Sequence, residues 1–268
     1  MSKVKKAVDR YYVIGYPVKH SLSPEIHREF AQKTGQSMCF EALEILPEQL
    51  ITTLNTLRLD PSVKGLSVTL PFKEHLYEYC DQLEPLACEA QAVSNVMIND
   101  QRAFVGLNLD GLGLVSDMKN NLRFELKGKS ILILGAGGAA RGILGAIIQE
   151  RPRHIHIANR TFSKVVALLE KLKHQPENVA FSVSDLPGIS GQFDIVINAT
   201  SASVTQVELP LKAGYFNKAA LGYDLMYAPK GTVFTRWCQA QQIKNSDGRG
   251  MLIELSKIAF YRWRHIRV

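Results

Sequence analysis

A chain of 268 residues and 29.9 kDa is long enough for two modest domains or one large one. With 46% hydrophobic and 21% charged residues, 19 Gly and 11 Pro, its composition is that of a globular protein and excludes the disordered, collagen-like and coiled-coil classes. The net charge of +7 fits a nucleic acid, a small anionic substrate or a phosphorylated cofactor, so charge alone selects none of these partners.

The longest uncharged stretch of note, residues 130–140, is too short to cross a bilayer, which takes roughly 18–20 apolar residues. The charged N-terminus has no apolar segment of the kind found in secretory signals, and we expect a cytoplasmic protein. The four cysteines have no C-x-x-C spacing, which favours reduced thiols. His154 and His156 share one face of a predicted strand without a third ligand beside them, so we predict no metal site.

In the first half of the chain, strand and helix patterns alternate and end near residue 108. Ser23 and Pro24 begin a helix, with Ser23 as the N-cap and Gly35 as the stop. The predicted elements are strands at 11–15, 39–46 and 65–69, helices from 23, at 47–57 and at 85–91, and a hairpin of 92–98 with 103–105.

The second half begins with a continuous apolar strand at 130–134, a glycine turn and a helix at 141–148. The elements that follow are strands at 154–158, 193–198 and 219–225, and helices at 162–173, 231–241 and 250–263. Alternation of this kind predicts a doubly wound parallel sheet.

The glycine turn has the pattern G-x-G-x-x-A directly after a buried strand and directly before a helix. In that context Gly135 permits the tight turn, Gly137 lets the backbone approach a pyrophosphate, and Ala140 lets the helix pack closely on the strand. The free N–H groups of the helix N-terminus attract the phosphates. These features predict a dinucleotide site, with a ligand-free tight turn as the alternative.

The end of the second strand of this half distinguishes NAD from NADP. An acidic residue there would bind the ribose 2′-hydroxyl and repel a 2′-phosphate, but the residues are Asn159, Arg160 and Thr161, with Lys164 one turn later. Arg160 can pair with a phosphate and Lys164 adds positive charge, so the sequence favours NADP.

Polar side chains also follow the strands of the first half. Ser21 and Ser23 place two hydroxyls at a helix N-terminus, where they can hold a carboxylate or serve simply as turn and cap. Lys73 follows a strand end, and Asp110 lies where the two halves of the chain meet. Oxidising an alcohol by hydride transfer requires a group that takes the hydroxyl proton, and this pair is our candidate. Ordinary surface ions are the alternative.

Nine motifs, in this order, resemble the shikimate dehydrogenase family over nearly the whole chain. They are 15-GYPVKHSLSPEIH-27, 68-VTLPFK-73, Ala92-Val93, 108-NLDGLG-113, 135-GAGGA-139 with Arg141, 159-NRT-161, 198-NATS-201, 223-YDLMY-227 and 247-DGRGML-252. The resemblance implies an α/β protein of two domains, with the active site in the cleft between them. An N-terminal α/β substrate domain would span 1–109 and be rejoined by the C-terminal helix at 245–268, and a Rossmann-like, doubly wound parallel-sheet NADP domain would span 110–244.

The resemblance also implies a role for each matching residue. Lys73 would transfer the proton, paired with Asp110. Ser21 and Ser23 would hold the substrate carboxylate, and Thr69, Asp110 and Tyr227 would contact the rest of the substrate. The residues implied to bind NADP are Gly135, Ala136, Gly137, Gly138, Ala139, Asn159, Arg160, Thr161, Lys164 and Gly248. The implied reaction is the reversible NADPH-dependent reduction of 3-dehydroshikimate to shikimate, a step of aromatic amino acid biosynthesis.

Several residues depart from the family pattern on one side of the expected substrate pocket. Ser67 stands where the family usually has Asn, Ser94 and Asn95 replace an Asn-Thr pair, Leu109 replaces Thr and Leu255 replaces Gln. Since adjacent strand residues face opposite sides of a sheet, Asn95 could replace an Asn at position 94 only through a bulge.

Other hypotheses therefore remain beside a shikimate dehydrogenase. One is a paralogue that acts on quinate or another carboxylated cyclic or polyol ketone. Another is a binding protein that has lost catalysis, although the retained Lys73 and Asp110 argue against it. A nucleic-acid partner has no aromatic-interleaved basic motif to support it. We expect no nucleic-acid or membrane partner, a small-molecule substrate, and a monomer or homodimer.

Overall fold

The computed structural model describes residues 8–171, 178–205 and 207–268. Twelve strands are found in this part of the chain: β1 Asp9–Gly15, β2 Met38–Glu44, β3 Val63–Val68, β4 Gln82–Leu83, β5 Asn95–Ile98, β6 Phe104–Leu107, β7 Ser130–Leu134, β8 His154–Ala158, β9 Ala180–Ser184, β10 Phe193–Asn198, β11 Phe216–Asp224 and β12 Lys244–Ser246. The helices described are α1 Ser23–Thr34, α2 Leu50–Leu59, α3 Lys73–Tyr79, α4 Pro85–Ala90, α5 Asp110–Ser116, α6 Gly138–Gln149, α7 Phe162–Lys171, α8 Ala202–Thr205, α9 Val233–Ala240 and α10 Arg249–Arg264.

The chain forms two compact units. Unit 1 contains the residues up to Leu109 together with Leu255–Val268, and unit 2 contains Asp110–Glu254. The chain returns to unit 1 at Leu255 rather than at residue 245, where we expected it. Residues 245–254 stay with unit 2 because β12 pairs with β11 and because Ser116 donates a hydrogen bond to the buried carboxylate of Glu254, with an oxygen–oxygen distance of 2.7 Å.

The sheet of unit 1 is mixed, with the strand order β2-β1-β3-β5-β6-β4. Strands β1, β2 and β3 run parallel, whereas β5 and β6 form an antiparallel hairpin that confirms the predicted one. One face of the sheet packs on α2, α3 and α4 through a core that includes Leu54, Leu66 and Leu76. The carboxyl ends of β1 and β3 therefore lie side by side, and the loops that follow them carry the first-half motifs.

The other face of this sheet is covered by aromatic side chains of α1 and α10. The Trp263 ring lies over Gly65, where a Cβ would come within 2.4 Å of the indole nitrogen. The indole N–H donates to the Val96 carbonyl over 3.0 Å, and the ring packs 4.9 Å from that of Tyr11. The last helix is thus an integral part of the core of unit 1.

The sheet of unit 2 has six parallel strands in the order β12-β11-β10-β7-β8-β9. This confirms the predicted doubly wound parallel sheet. The central strands β7, β8 and β10 are almost entirely buried and were predicted at 130–134, 154–158 and 193–198. The predicted helix at 162–173 is observed as α7 to Lys171, and residues 172 and 173 lie outside the described residues. In the part of the chain that the structure describes, no helix is long and apolar enough to cross a membrane.

The start of α1 differs from its prediction. Ser23 is the first helical residue and Leu22 precedes it as the N-cap, so the assignment of Ser23 as the N-cap was wrong. The hydroxyl of Ser21 instead accepts a hydrogen bond from the Ser23 N–H over 3.3 Å. The helix ends as expected at Gly35, which has a left-handed φ of 65°.

His27 on α1 is fully buried among aromatic rings. Its ring stacks on Phe40 at a centroid distance of 4.2 Å, and neither ring nitrogen has a hydrogen-bond partner. Burial lowers the pKa of His27 to about 3, because the charged imidazolium cannot be solvated there. His27 therefore packs as a neutral aromatic group.

We expect the substitution His27→Phe to weaken the dependence of stability on acid pH. Between pH 6.5 and about 3 the unfolded chain binds a proton at His27 that the folded protein does not, so stability falls as the pH falls. This one group contributes about 1.4 kcal/mol for each pH unit in that range. Denaturant unfolding at pH 7 and pH 5 should show the wild type losing roughly 2 kcal/mol more than the variant. Equal losses would contradict a buried neutral imidazole.

Candidate substrate and cofactor residues

The carboxyl ends of β1 and β3 approach each other closely. The Thr69 N–H donates to the Ile14 carbonyl and the Tyr16 N–H donates to the Leu70 carbonyl, each over 3.0 Å. A Cβ on Gly15 would lie 2.4 Å from the Thr69 Cγ2 atom. The absence of a side chain at Gly15 therefore determines where Thr69 lies.

Two serine hydroxyls lie together at the start of α1. The Oγ atoms of Ser21 and Ser23 are 3.2 Å apart, Ser23 is buried and Ser21 is half-buried. This is the juxtaposition expected for a carboxylate cradle, since each hydroxyl can turn its proton toward an anion. Ser23 is held in place because it belongs to the buried side of α1, one turn before His27.

Lys73 is the first residue of α3 and is half-buried. Two contacts hold its main chain: the fully buried Phe72 anchors the turn, and the Lys73 carbonyl accepts the Val93 N–H over 2.9 Å. The Phe72 N–H in turn donates to the Thr69 carbonyl over 3.0 Å. Thr69 and Lys73 therefore belong to one rigid turn after β3.

The residues that depart from the family pattern form a hydrogen-bonded chain. The Leu109 N–H donates to the Ser94 hydroxyl over 2.8 Å, and the Ser94 hydroxyl donates to the Asn95 side-chain oxygen Oδ1 over 3.0 Å. The Asn95 amide then donates to the Ser67 hydroxyl over 3.1 Å. Because a main-chain N–H can only donate, every bond in this chain has one direction. Ser67 is 8% exposed and its O–H proton has no acceptor among the described residues.

Asn95 reaches Ser67 without a bulge. In the pairing of β3 with β5, Asn95 lies directly opposite Ser67, and in the pairing of β5 with β6 it lies opposite Leu107. Directly opposed residues share a face of the sheet. Ser94 precedes the first residue of β5, so strict alternation does not govern its side chain. The carboxamide of Asn95 thus lies on the Ser67 face, and the expectation that Asn95 could replace an Asn at position 94 only through a bulge stays a prediction.

The glycine turn of unit 2 is shaped for a pyrophosphate. Gly135 has a φ of 111°, and a Cβ there would meet the Ala199 carbonyl oxygen at 3.0 Å. A Cβ on Gly137 would point into open space, and α6 begins at Gly138 without a side-chain cap. The first N–H groups of α6 have no partner within the helix, and the open space beside Gly137 can admit phosphate oxygens. The turn fits the phosphates of a dinucleotide.

The segment after β8 carries the cations expected for a 2′-phosphate. Arg160, Thr161 and Lys164 are exposed. The Asn159 side chain donates to the Thr161 carbonyl over 3.0 Å, and the Asn159 N–H donates to the Ser184 carbonyl over 3.3 Å. The segment has no acidic side chain and its shape is set by Asn159, so the residues present fit NADP.

The remaining predicted residues of unit 2 lie on other elements. Asp110 is the buried first residue of α5, and Tyr227 is half-buried three residues after the end of β11. Gly248 is packed against the main chain before Tyr227, because a Cβ there would lie 2.1 Å from the Leu225 carbonyl oxygen. Its N–H donates to the Met226 carbonyl over 3.0 Å. The structure thus brings Gly248 to the loop of Tyr227.

Asp224 holds the loop of Tyr227 in place, a role that was not predicted from the sequence. It is fully buried at the end of β11, accepts the Ser203 hydroxyl over 2.5 Å and accepts the Met226 N–H over 3.0 Å. Burial raises the pKa of its carboxyl group. Asp224 therefore joins the loop of Tyr227 to Ser203 on α8. Its place in the motif 223-YDLMY-227 was the available signal.

Comparisons with known proteins match both units. Residues 13–96 match the family described as the shikimate dehydrogenase substrate binding domain, and residues 117–209 match the family described as shikimate / quinate 5-dehydrogenase. The shikimate dehydrogenase (NADP(+)) of Methylobacillus flagellatus is 40% identical over 262 residues, which cover 97% of this chain and 95% of that protein.

Solved structures are also similar to this chain over most of its length. An Ael1 enzyme from Pseudomonas putida superposes with a TM-score of 0.87 at 38% identity, covering 97% of this chain and 94% of that one. The shikimate 5-dehydrogenase of Thermus thermophilus, solved in complex with NADP(H) and shikimate, superposes with a TM-score of 0.85 at 29% identity. The match covers 97% of this chain and 95% of that one.

The close contact at Gly15 predicts that a second substitution restores part of the stability that Gly15→Ala removes. The substitution Gly15→Ala should cost about 1–3 kcal/mol of unfolding free energy, because the added methyl group overlaps the Thr69 Cγ2 atom. Thr69→Ser removes that atom and keeps the hydroxyl, so the double variant should recover roughly half of the loss or more. Denaturant unfolding of the wild type, both single variants and the double variant measures the coupling. Additive losses would contradict the contact.

Proposed function

Because this chain belongs to the shikimate dehydrogenase family, we propose that it catalyses the reversible NADPH-dependent reduction of 3-dehydroshikimate to shikimate. The observation that carries the proposal is the polar set at the carboxyl ends of β1 and β3, where Ser21, Ser23, Thr69 and Lys73 are held by buried neighbours. The glycine turn and the acid-free segment after β8 support NADP as the cofactor.

The proposed chemistry gives each of these side chains one task. The hydroxyls of Ser21 and Ser23 bind the substrate carboxylate, and Thr69 and Tyr227 bind the rest of the ring. NADPH, when bound, supplies the hydride. Lys73, as an ammonium group, gives its proton to the carbonyl oxygen as the C=O π bond breaks and the C–H and O–H bonds form. In the reverse direction neutral Lys73 takes the hydroxyl proton. The pairing of Lys73 with Asp110 remains part of the proposal.

The side chains proposed to bind the hydroxyl groups of the substrate ring differ from those of the family pattern. Ser94 uses its hydroxyl within the protein, between the Leu109 N–H and Asn95. Ser67, oriented by Asn95, keeps an O–H proton to give to a substrate oxygen. This arrangement compensates in part for the lost Asn at positions 67 and 94. It is also the observation that favours the second candidate, a relative acting on quinate or another carboxylated cyclic ketone.

Partners and location follow the same proposal. The ligands are small molecules, and we propose no nucleic-acid partner. A monomer or homodimer and a cytoplasmic location remain predictions, as does the absence of a resident metal. Among the described residues, no group of three His, Cys, Asp or Glu side chains is placed to hold a metal ion.

The activity is tested by the initial rate of NADP⁺ reduction with shikimate, with quinate and NAD⁺ as parallel alternatives. We expect saturable turnover of shikimate with NADP⁺. Lys73→Ala should lower that rate by about 10²- to 10⁴-fold, the range typical of general acid–base groups, while NADPH affinity stays within about twofold. Lys33→Ala, an exposed lysine paired with Glu29 on α1, is the matched control and should keep the wild-type rate. Faster turnover of quinate than of shikimate would replace the first candidate by the second.

The cofactor preference is tested by Arg160→Asp. The new carboxylate repels a 2′-phosphate and accepts a ribose hydroxyl, so NADPH should bind roughly 10- to 100-fold more weakly and NADH as well or better. Arg123→Asp makes the same charge change at another exposed position of unit 2 and should leave the preference unchanged. An unaltered ratio of NADPH to NADH affinity in the Arg160 variant would place the 2′-phosphate elsewhere.

A further inference from the structure

A row of alternating serine and histidine side chains crosses one face of the unit 2 sheet. Its members are Ser130 on β7, His154 and His156 on β8, and Ser182 and Ser184 on β9. The Ser182 Oγ atom lies 2.7 Å from both His154 Nε2 and His156 Nδ1. Ser130 Oγ is 3.3 Å from His154 Nδ1, and Ser184 Oγ is 2.9 Å from His156 Nε2. We call these five residues the Ser–His row.

The hydrogen bonds of the row have one consistent direction when both imidazoles are neutral. Ser184 donates its hydroxyl proton to the Asp185 carbonyl over 2.6 Å, so it must accept from His156 Nε2–H. His156 Nδ1 then accepts from the Ser182 hydroxyl, and Ser182 accepts from His154 Nε2–H. His154 Nδ1 is left to accept from Ser130. Every polar atom of the row is satisfied by this assignment.

The surroundings favour the neutral form of both imidazoles. Phe193 covers them, with ring centroids 6.4 Å from His154 and 5.7 Å from His156. Burial lowers the pKa of both groups, with Arg153 adding to the effect at His154 and His154 adding to it at His156.

Charged groups adjoin the row only near its two ends, among the described residues. Asp194 on β10 accepts the Ser130 N–H and lies near Lys129 and Arg153. Asp185 follows Ser184 at the other end, where its carboxylate accepts the Gly188 N–H over 2.8 Å. Despite the partial burial of Asp194, hydrogen bonds from the Ser130 N–H and the Asn217 amide hold the pKa of its carboxyl group below the usual value.

The row ends next to the segment that carries Arg160, which follows β8. Ala158 and Ser184 are the last paired residues of β8 and β9, and the Ser184 carbonyl accepts the Asn159 N–H over 3.3 Å. Ser184 therefore contacts His156 through its side chain and Asn159 through its main chain. A shift of Ser184 would move the start of the segment 159–161.

We propose that the Ser–His row positions the segment 159–161 for the 2′-phosphate of NADPH, and that protonation of the row in acid weakens this binding selectively over that of NADH. The proposal rests on the proposed function. A second proton on His156 turns Nδ1 into a donor, so that Ser182 faces two N–H donors and its own O–H loses its acceptor. Because Nε2–H still donates to Ser184, the loss at Ser182 reaches Ser184 through a shift of the His156 ring that joins them. His156 and Ser184 are positioning residues, since they act through Asn159.

The test compares NADPH and NADH affinities of the full chain, measured by fluorescence titration without substrate at about pH 5.5 to 8. Because the 2′-phosphate itself titrates near pH 6, the informative quantity is the difference between the wild type and His156→Gln, which cannot be protonated. We expect the ratio of NADPH to NADH affinity to fall more in the wild type than in the variant between pH 7.5 and 5.5, by no more than about tenfold, because the pKa of His156 is lowered from 6.5. His265→Gln, which removes an exposed histidine of unit 1, should behave as the wild type.

Two further readouts separate positioning from a general structural role. Ser184→Ala should weaken NADPH binding about three- to tenfold at pH 7.5 and leave NADH binding within twofold. The imidazole ¹⁵N resonances of His154 and His156 should report the neutral Nε2–H tautomer at pH 7.5.

Three results would overturn the proposal: an Nδ1–H tautomer at His156, equal pH dependence in the wild type and His156→Gln, or equal loss of both cofactors in Ser184→Ala. Absence of NADPH binding by the wild type at every pH would instead overturn the proposed function, and this proposal with it.

Discussion

Backbone segments at the ends of the parallel strands approach each other more closely than any side chain would allow. Gly15 lies against Thr69, Gly135 against the Ala199 carbonyl, and Gly248 against the Leu225 carbonyl. Each contact joins the end of one strand or turn to a loop that bears proposed site residues. Because these contacts are between main chains or methyl groups, they leave little room for adjustment. The positions of Thr69, the glycine turn and the Tyr227 loop all depend on this close packing.

The fold of unit 2 was predictable from sequence to a large extent. Strand β7 is buried on both faces, and burial of this kind requires a continuous apolar run, which stands out in the sequence. The edge strands were not predictable in the same way. Strand β9 carries Ser182 and Ser184 in place of apolar residues, and β12 is only three residues long. Their pairing is stabilised by neighbouring strands rather than by a pattern of their own.

Some residues of the candidate site could likewise be predicted from the sequence, whereas others could not. Motifs whose members are adjacent in sequence, such as the glycine turn and Ser21 with Ser23, could be identified because local geometry brings them together. The polar chain from Leu109 to Ser67 could not, since it depends on the register of β5 against β3 and on one main-chain N–H. Strand β5 pairs with β3 without a bulge, and Asn95 bonds to Ser67. Asp224 was equally hidden, because its donors come from three separate segments.

The return of the chain to unit 1 has a consequence for synthesis on the ribosome. Trp263 covers Gly65 and Tyr11, and Arg264 is hydrogen-bonded to Gln36 and paired with Asp9, so the sheet of unit 1 lacks part of its cover until residues 263 and 264 emerge. All of residues 110–254 are translated in between, which takes on the order of 10 s at about 5–20 residues per second. During that interval the aromatic face of the first strands is exposed to other nascent chains and to chaperones. The continuous unit, although made second, is the first that can be completed.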